Sequence, residues 1–471
     1  MRSIRLTLPL LPLFAVACGG AATPYAATPR YAPPRGDESV ASAEPSPVAE
    51  GTYATEEAAT PPMAGPMSAP PPPPADYDRS RARGPAATAP SKSTSAPVAA
   101  ASGVKAGEWD DNANYREFQR WLATEDGEPF HRVDIRDRRF IVVRDAHGKA
   151  VPRCKVVVED DAQHTTSLTT TASGRAILFP HAEGLTGKSL RATASCDGAS
   201  VAAKFSLDAA DGVVDMQLAS DRSLPATRAI DVAFILDTTG SMSEEIAAVK
   251  TTIQRVASTL GDDSVRVRVG LVEYKDRGDE YVTKVYPMTS DLAAFEKQVA
   301  SIQASGGGDT PESVNEGVHV GLTKLAWSDD AVAKFAFLVG DAPPHLDYAQ
   351  DFDYAVDMKG AAHRGIELFT VAASGMDDLG QIVFRQLAAY TGATNLFVLR
   401  GGAGPQSTGA GDPKSSCGGT QKSYASGNLD ALIVGKIRGE LKGLDGDPLR
   451  IPGVGKDEQA KPCVDRVLAP G

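Results

Sequence analysis

Three separated segments carry oxygen-bearing side chains whose types and spacing fit a metal site. Asp237, Thr239 and Ser241 stand at positions i, i+2 and i+4 of one segment. Thr310 belongs to a glycine-rich segment, and Asp341 directly follows an apolar stretch. Hydroxyl and carboxylate oxygens are the ligands that hard cations prefer. We therefore predict that the three segments together hold one divalent cation, which is Mg²⁺ or alternatively Mn²⁺ or Ca²⁺.

The expected chemistry of such a site is binding. Hydroxyl ligands do not neutralise a cation, and if Asp237 and Asp341 act through water the metal stays electron-poor. Its open coordination position would then favour a carboxylate from another molecule. Ser241 lacks a surrounding Gly-x-Ser-x-Gly motif and has no histidine nearby in the sequence. We therefore predict that the protein is not an enzyme.

Alternating strands and helices after Pro225 are predicted to position these side chains. Residues 229–236 are a nearly continuous apolar run, typical of a parallel strand buried on both faces, and they end at Asp237. The alternation predicts an α/β fold, with a doubly wound, mostly parallel, Rossmann-like sheet that binds ligands at the carboxyl ends of its strands. The further predicted strands are 265–274, 281–288, 334–339, 366–372 and 396–399. The first predicted helix has apolar residues from Ile246 to Leu260. The later predicted helices are 292–302, 312–325, 352–362, 379–390 and 429–441.

The three segments resemble the metal-ion-dependent adhesion site of von Willebrand factor type A (VWA) domains. The D-x-[ST]-x-S motif of that family matches Asp237, Thr239 and Ser241, and its second- and third-loop residues fall on Thr310 and Asp341. The resemblance implies that the three hydroxyls contact the metal and that both aspartates act mostly through water. It also implies a protein partner that supplies a carboxylate.

The resemblance covers about residues 228–443. Within it, 306–312 and 341–345 look closest to the hemicentin-like branch of the family. His345 is expected to have a structural role, and Asp276, Arg277 and Asp279 are expected to form a solvated loop.

A small all-β domain is predicted before this region. Seven short segments between 140 and 218 alternate as strands do, with turn residues between them, which favours an antiparallel β-sandwich. Residues 143–152 and 169–178 resemble the carboxypeptidase-regulatory-like, transthyretin-like sandwiches. We predict that this domain acts as a spacer. The alternative is that it forms a co-binding surface.

A short amphipathic helix is predicted over 108–122, just before the sandwich. Its aromatic side chains, Trp109, Tyr115, Phe118 and Trp121, are expected to pack against the next domain.

The amino terminus has the pattern of an export signal. Arg2 and Arg5 precede a short apolar run that ends in Ala15-Val-Ala-Cys18, which resembles a bacterial lipobox. Acylation of Cys18 would make the chain a lipoprotein anchored in the bacterial cell envelope, with the outer membrane or cell surface expected. The alternative is an ordinary signal peptide cleaved near Ala17.

The four remaining cysteines suggest two disulfides, Cys154 with Cys196 and Cys417 with Cys463. An exported chain favours bridges, and the spacing is not that of a metal site. The alternative is that they stay as buried thiols.

The predicted organisation has five parts. A lipoprotein signal peptide covers 1–17, a disordered Pro-, Ala- and Ser-rich tether 18–107, the helix and sandwich 108–225, the VWA domain 226–443 and a tail 444–471. The net charge of −12 argues against a nucleic-acid partner.

Two other functions stay open at this point. The protein could be a structural component of an envelope complex in which a metal only stabilises the fold. It could also be a metal-activated hydrolase that uses Asp341 or His345, which is the least favoured reading.

Overall fold

The computed structural model describes residues 104–455, apart from 261–264, 309, 374 and 399–424. The predicted signal peptide, Cys18, most of the tether, Cys417 and Cys463 lie outside the described residues. None of the described helices combines the length and apolar character needed to cross a bilayer.

An eight-stranded sheet forms the centre of the larger domain. Its strand order is β11-β10-β9-β12-β13-β14-β1-β15, and the five strands from β10 to β14 are parallel. The bounds are β1 (Lys105–Trp109), β9 (Arg228–Asp237), β10 (Val265–Tyr274), β11 (Thr283–Thr289), β12 (Ala333–Gly340), β13 (Ile366–Ala372), β14 (Asn395–Val398) and β15 (Ala425–Asn428).

Helices cover both faces of this sheet, as the predicted doubly wound fold requires. On one face, α2, α3 and α7 pack against side chains of β9 such as Val232 and Phe234. On the other face, α4, α5 and α6 share a core with Ile235. The helix bounds are α1 (Tyr115–Leu122), α2 (Ile246–Thr259), α3 (Leu292–Ser301), α4 (Val314–Thr323), α5 (Tyr354–His363), α6 (Asp378–Tyr390) and α7 (Leu429–Gly443).

Two small sheets, which we call the paired small sheets (residues 138–217), share one hydrophobic core with the α4–α6 face. One has the order β5-β2-β8 and the other β4-β3-β6-β7. Their bounds are β2 (Arg138–Arg144), β3 (Lys155–Asp160), β4 (Thr165–Thr169), β5 (Arg175–Leu178), β6 (Ser189–Cys196), β7 (Ala199–Ser206) and β8 (Asp211–Gln217). The expectation of a wholly antiparallel sandwich is wrong for one pair, because β2 and β8 run parallel.

The predicted helix over 108–122 is wrong in its first part. Glu108 and Trp109 belong to β1, which is antiparallel to both β14 and β15 in the large sheet. Trp109, Phe118 and Trp121 then surround the buried guanidinium of Arg385 on α6. These three aromatic side chains therefore pack against α6 of the larger domain. The ring of Tyr115 instead contacts the guanidinium of Arg138 on β2, 3.9 Å away, as expected for packing against the paired small sheets.

A disulfide joins Cys154, just before β3, to Cys196 at the end of β6. The two strands are hydrogen-bonded neighbours, so the bridge lies within one sheet. This pairing of the first two cysteines is confirmed.

Candidate metal centre

The first loop of the candidate site begins at the carboxyl end of β9. Asp237 is fully buried, and its Oδ1 accepts hydrogen bonds from the backbone N–H of Thr239 at 2.9 Å and from the Thr239 hydroxyl at 2.7 Å. These bonds hold the chain in a tight turn before the 3₁₀ segment Gly240–Glu244. The carboxylate thereby fixes the direction of the first hydroxyl.

A chain of hydroxyl contacts continues from this turn to the third loop. Thr239 Oγ1 lies 3.0 Å from Ser241 Oγ, and the Ser241 hydroxyl donates to Asp341 Oδ1 at 3.0 Å. Asp341 directly follows β12, which pairs with β9 in parallel. Because these strands are neighbours, their carboxyl ends bring the first and third loops together.

The second loop touches the first through its backbone. Gly240 N–H donates to the carbonyl of Gly306 at 2.9 Å, and a Cβ on Gly240 would lie 2.7 Å from that oxygen. Only glycine fits so close an approach. Gly306 and Gly307 both have positive φ, 76° and 68°, which glycine adopts without strain.

Thr310 is the one predicted site residue that the structure does not connect to the others. Thr310 is exposed. Within the described part of the chain, no hydrogen bond joins its hydroxyl to Asp237, Thr239, Ser241 or Asp341. Four of the five predicted side chains therefore form one connected group, and the fifth lies on a loop that borders it.

Glu312 is a buried carboxylate of the second loop that the sequence analysis did not assign to the site. It is 2% exposed, and a Cβ on Gly307 would lie 3.1 Å from its Oε1 and 3.2 Å from Thr239 Cβ. Its backbone binds the third loop, since its N–H donates to Pro343 O and its carbonyl accepts from His345 N–H. Glu312 therefore belongs to the candidate site.

Burial, with a smaller contribution from neighbouring carboxyl groups, disfavours ionisation of the carboxyl groups in this cluster. Burial raises the pKa of Asp237 to about 7. The nearby Asp341 contributes to this rise, whereas the hydrogen bonds from Thr239 oppose it. Burial raises the pKa of Glu312 to about 8, with contributions from Asp237 and Asp276. Burial also raises the pKa of Asp341. With no cation present, these carboxyl groups therefore favour their protonated form more than ordinary surface carboxyl groups do.

The donor set fits a hard divalent cation. Asp237 Oδ2 and Glu312 Oε2 are buried oxygens without a hydrogen-bond partner in the described structure. Within the same residues, no group of three or more His, Cys, Asp or Glu side chains is arranged to hold a metal by itself. A cation here would therefore depend on the hydroxyls of Thr239 and Ser241 together with the carboxylates.

The expectation of a solvated loop at Asp276–Asp279 is wrong for Asp276, although Arg277 is exposed as expected. Asp276 is 6% exposed and accepts hydrogen bonds from the hydroxyls of Ser313 at 2.9 Å and Tyr348 at 3.1 Å. Asp279 accepts from Gly307 N–H at 2.8 Å. A short run of charges in sequence gives no sign of this burial, which depends on the second loop folding over it.

His345 lies beside Asp276, with its Nε2 3.5 Å from Asp276 Oδ1. It is 5% exposed, its Nδ1 lies 2.7 Å from Asp347 Oδ1, and its ring stacks on Tyr348 at 3.8 Å between centroids. These contacts agree with the structural role expected for it.

Comparisons with known proteins match the larger domain. Residues 231–351 match the sequence model of the von Willebrand factor A domain family. Over 124 residues the chain is 37% and 38% identical to von Willebrand factor A domain-containing protein 7 of Rattus norvegicus and of Homo sapiens, covering 25% of this chain and 14% of each relative.

Two further matches have lower sequence identity. Alpha-protein kinase vwkA of Dictyostelium discoideum is 26% identical over 127 residues, covering 26% of this chain and 20% of that protein. The solved protein BatB from Bacteroides thetaiotaomicron matches at 14% identity and a TM-score of 0.32, covering 46% of this chain and 99% of that chain; a likeness of that size carries no argument about function.

The chain spans a fifth or less of the length of the three curated relatives named above. The match therefore concerns a domain and not a whole protein. It includes Asp237, Thr239, Ser241 and Asp341, and it agrees with the parallel sheet and its helices. This protein contains a von Willebrand factor A domain.

Proposed function

We propose that this protein is an exported, lipid-anchored binding module that takes up a divalent cation in its VWA domain and, through it, binds a carboxylate of a protein partner. The observation that supports this most is the connected group of Asp237, Thr239, Ser241 and Asp341 at the carboxyl ends of two adjacent parallel strands. The group contains a buried carboxylate oxygen that has no hydrogen-bond partner among the described residues.

The accessibility of the group supports a role in binding. Asp237 and Thr239 are buried, Asp341 is half-buried and Ser241 is exposed. A cation held by these side chains would supply an electron-poor centre to an incoming carboxylate, since the hydroxyls leave its charge unneutralised. Asp237 would hold Thr239 in position, and Asp341 would orient the Ser241 hydroxyl.

We also propose that the protein has no catalytic activity of its own. His345, the histidine closest in sequence to Asp341, makes its contacts with Asp347, Tyr348 and Asp276. Anchoring through Cys18 and the tether from 18 to 107 are the remaining parts of the proposal. They would carry the domain away from the envelope while keeping it attached.

The decisive variant is Ser241→Ala. We expect wild-type protein to bind Mg²⁺ and Mn²⁺ in titration calorimetry and the variant to bind at least about tenfold more weakly, because it loses a ligand. Its melting temperature in EDTA should match that of wild type, since exposed substitutions change stability little. Ser243→Ala, an exposed serine on the same turn, is the matched control and should bind normally.

A peptide-display selection in Mg²⁺ tests the second half of the proposal. We expect selected peptides to contain an essential Asp or Glu, to lose binding when that side chain is amidated, and to be released by EDTA. Absence of any divalent uptake by the wild-type protein, or peptide binding that ignores EDTA, would contradict the proposal.

A further inference from the structure

A basic cleft lies between the paired small sheets and the larger domain. Its volume is about 520 Å³, within the roughly 300–1,000 Å³ range typical of small-molecule sites. Residues that line it include Arg153, Thr169, Trp327, Asp329, Lys334 and Arg364.

The basic cleft lies near the amino end of β12, whereas the candidate metal centre lies at the carboxyl end of that strand. Lys334 stands at the start of β12, whereas Asp341 follows its end. Seven residues of extended chain separate them, roughly 23 Å. The cleft is therefore a separate feature of the molecule, and its ligand need not involve a metal.

Positive charge in the cleft exceeds negative charge. Arg153, Lys334 and Arg364 line it, and Asp329, which is exposed, is the one acidic residue among the described residues that line it. The fourth basic side chain, His363, already contacts the carboxylate of Glu183 at 2.8 Å. The remaining three cations and one carboxylate leave a net charge of about +2.

The hydrogen bonds that Lys334 and Arg364 make within the protein go to uncharged backbone carbonyls. Arg364 donates from Nη1 to Leu322 O at 2.6 Å and from Nε to Gly360 O at 3.1 Å, both uncharged acceptors. Lys334 Nζ lies 3.5 Å from a backbone carbonyl. Burial lowers the pKa of both side chains. The carboxylates of Asp329 and Asp231 oppose this shift for Lys334, as Asp357 does for Arg364, whereas the positive charges of Arg364 and Arg153 lower the pKa of Lys334 further.

Arg153 has unused donor capacity as well. Its guanidinium is 3.8 Å from Asp197, a loose contact with an exposed carboxylate. Its Nε is buried without a hydrogen-bond partner among the described residues. The Arg153 side chain as a whole is 26% exposed, so its loosely paired guanidinium is a charged donor suited to an anion in the cleft.

We propose that the basic cleft binds a small organic phosphate. Its phosphate group would lie among Arg153, Lys334 and Arg364, and its apolar or aromatic part would contact Trp327. A phosphate monoester carries about −1.5 to −2 charges at pH 7, which matches the net charge of the cleft. Arginine presents a planar fork of donors that fits phosphate oxygens. Trp327 is held by its indole N–H, which donates to Gly321 O at 3.1 Å.

Calorimetric titration of the full-length protein tests this proposal with three probes: phenyl phosphate, inorganic phosphate and benzoate. EDTA is present throughout, so that no cation at the candidate metal centre can recruit an anion. We expect phenyl phosphate to bind more tightly than inorganic phosphate and benzoate to bind weakest. Equal binding of benzoate and phenyl phosphate would overturn the phosphate assignment. Equal binding of inorganic and phenyl phosphate would overturn the contact with Trp327.

Two variants locate the binding. Lys334→Met keeps the aliphatic stem and removes the charge, and Arg153→Gln removes the guanidinium; each should weaken phenyl phosphate binding about tenfold or more. Arg191→Gln, an exposed residue of β6 outside the cleft, makes the same change in net charge and should bind like wild type. Unchanged binding by both cleft variants, or absence of binding by wild type, refutes the proposal. Ser241→Ala should leave this binding intact, which separates it from the proposed metal function.

Discussion

Glu367 is a buried carboxylate away from the candidate metal centre, near the amino end of β13. It is 3% exposed, and its Oε2 has no hydrogen-bond partner among the described residues. Burial raises the pKa of Glu367 well above its ordinary value, the charge of Glu440 on α7 adds to this, and Arg175 and Lys436 oppose it. The ionised form of Glu367 is therefore costly in the folded protein.

We expect this residue to make the protein less stable as the pH rises. An unfolded glutamate titrates near pH 4.3, and the folded value is higher, so stability is lost as the pH increases above about 4 toward the folded pKa. The glutamine of the Glu367→Gln variant cannot ionise. Between pH 5 and pH 8, the free energy of unfolding of wild type should therefore fall by at least about 1 kcal/mol more than that of the variant. Urea unfolding at both pH values measures this.

Glu117→Gln is the control for that experiment, because Glu117 is exposed on α1. It should show the pH dependence of wild type. If Glu367→Gln also follows wild type, the burial of Glu367 does not perturb its ionisation in the way we infer.

At the scale of single residues, the sequence predicts which side chains lie close together when they share one turn or follow adjacent strands. Asp237, Thr239 and Ser241 lie in one turn, and Asp341 ends a neighbouring strand, so their proximity follows from local spacing and the parallel sheet. The burial of Glu312 and Asp276 could not be predicted in this way. It arises because the second loop packs on two other loops, and nothing in the local sequence specifies that packing.

Among the elements, β3 and β6 are linked both by backbone pairing and by the Cys154–Cys196 disulfide. The cysteines are 42 residues apart in the chain. A bridge that closes a loop of this length restricts the unfolded chain and is worth about 4 kcal/mol in the chain-entropy model.

We expect Cys154→Ala/Cys196→Ala to unfold at lower urea concentration, with a loss of up to about 4 kcal/mol in the free energy of unfolding. Reduced wild-type protein should lose at least as much. A further loss on reduction of the double variant would point to the predicted Cys417–Cys463 bridge. A double variant as stable as oxidised wild type would show that the first bridge contributes nothing.

Most helices and strands of the larger domain could be predicted because their periodicity is local. The predicted strands 265–274 and 366–372 agree with β10 and β13. The strand β1 was missed because Lys105–Trp109 has little apolar alternation and gains its partners from residues about 290 to 320 positions later. The parallel pairing of β2 with β8 was missed for the same reason, since pairing direction depends on the path of the whole chain.

For the molecule as a whole, the position of β1 changes the domain boundaries that the sequence suggested. The large sheet takes one strand from before the paired small sheets and seven from after them. The paired small sheets are thus inserted between β1 and β9. The predicted boundary at residue 226 separates β1 from the sheet to which it belongs.

We expect a fragment of residues 226–455 to aggregate or to unfold at low urea concentration, whereas residues 104–455 should fold. Without β1, both β14 and β15 present unpaired edges, which promote association between chains. Gel filtration and circular dichroism of the two fragments would distinguish these outcomes. A monomeric, cooperatively folding shorter fragment would show that β1 is dispensable.

The double pairing of β1 has a mechanical consequence for a protein held by the chain that precedes it, as we propose. Tension on that chain would enter the fold at Val104, whose carbonyl accepts a hydrogen bond from Leu429 N–H, and would pass directly into β1. An edge strand can peel away from its single neighbour one bond at a time. Because β1 has neighbours on both sides, two ladders must rupture together before the domain is pulled open, so an applied load is shared across the sheet that presents the candidate metal centre.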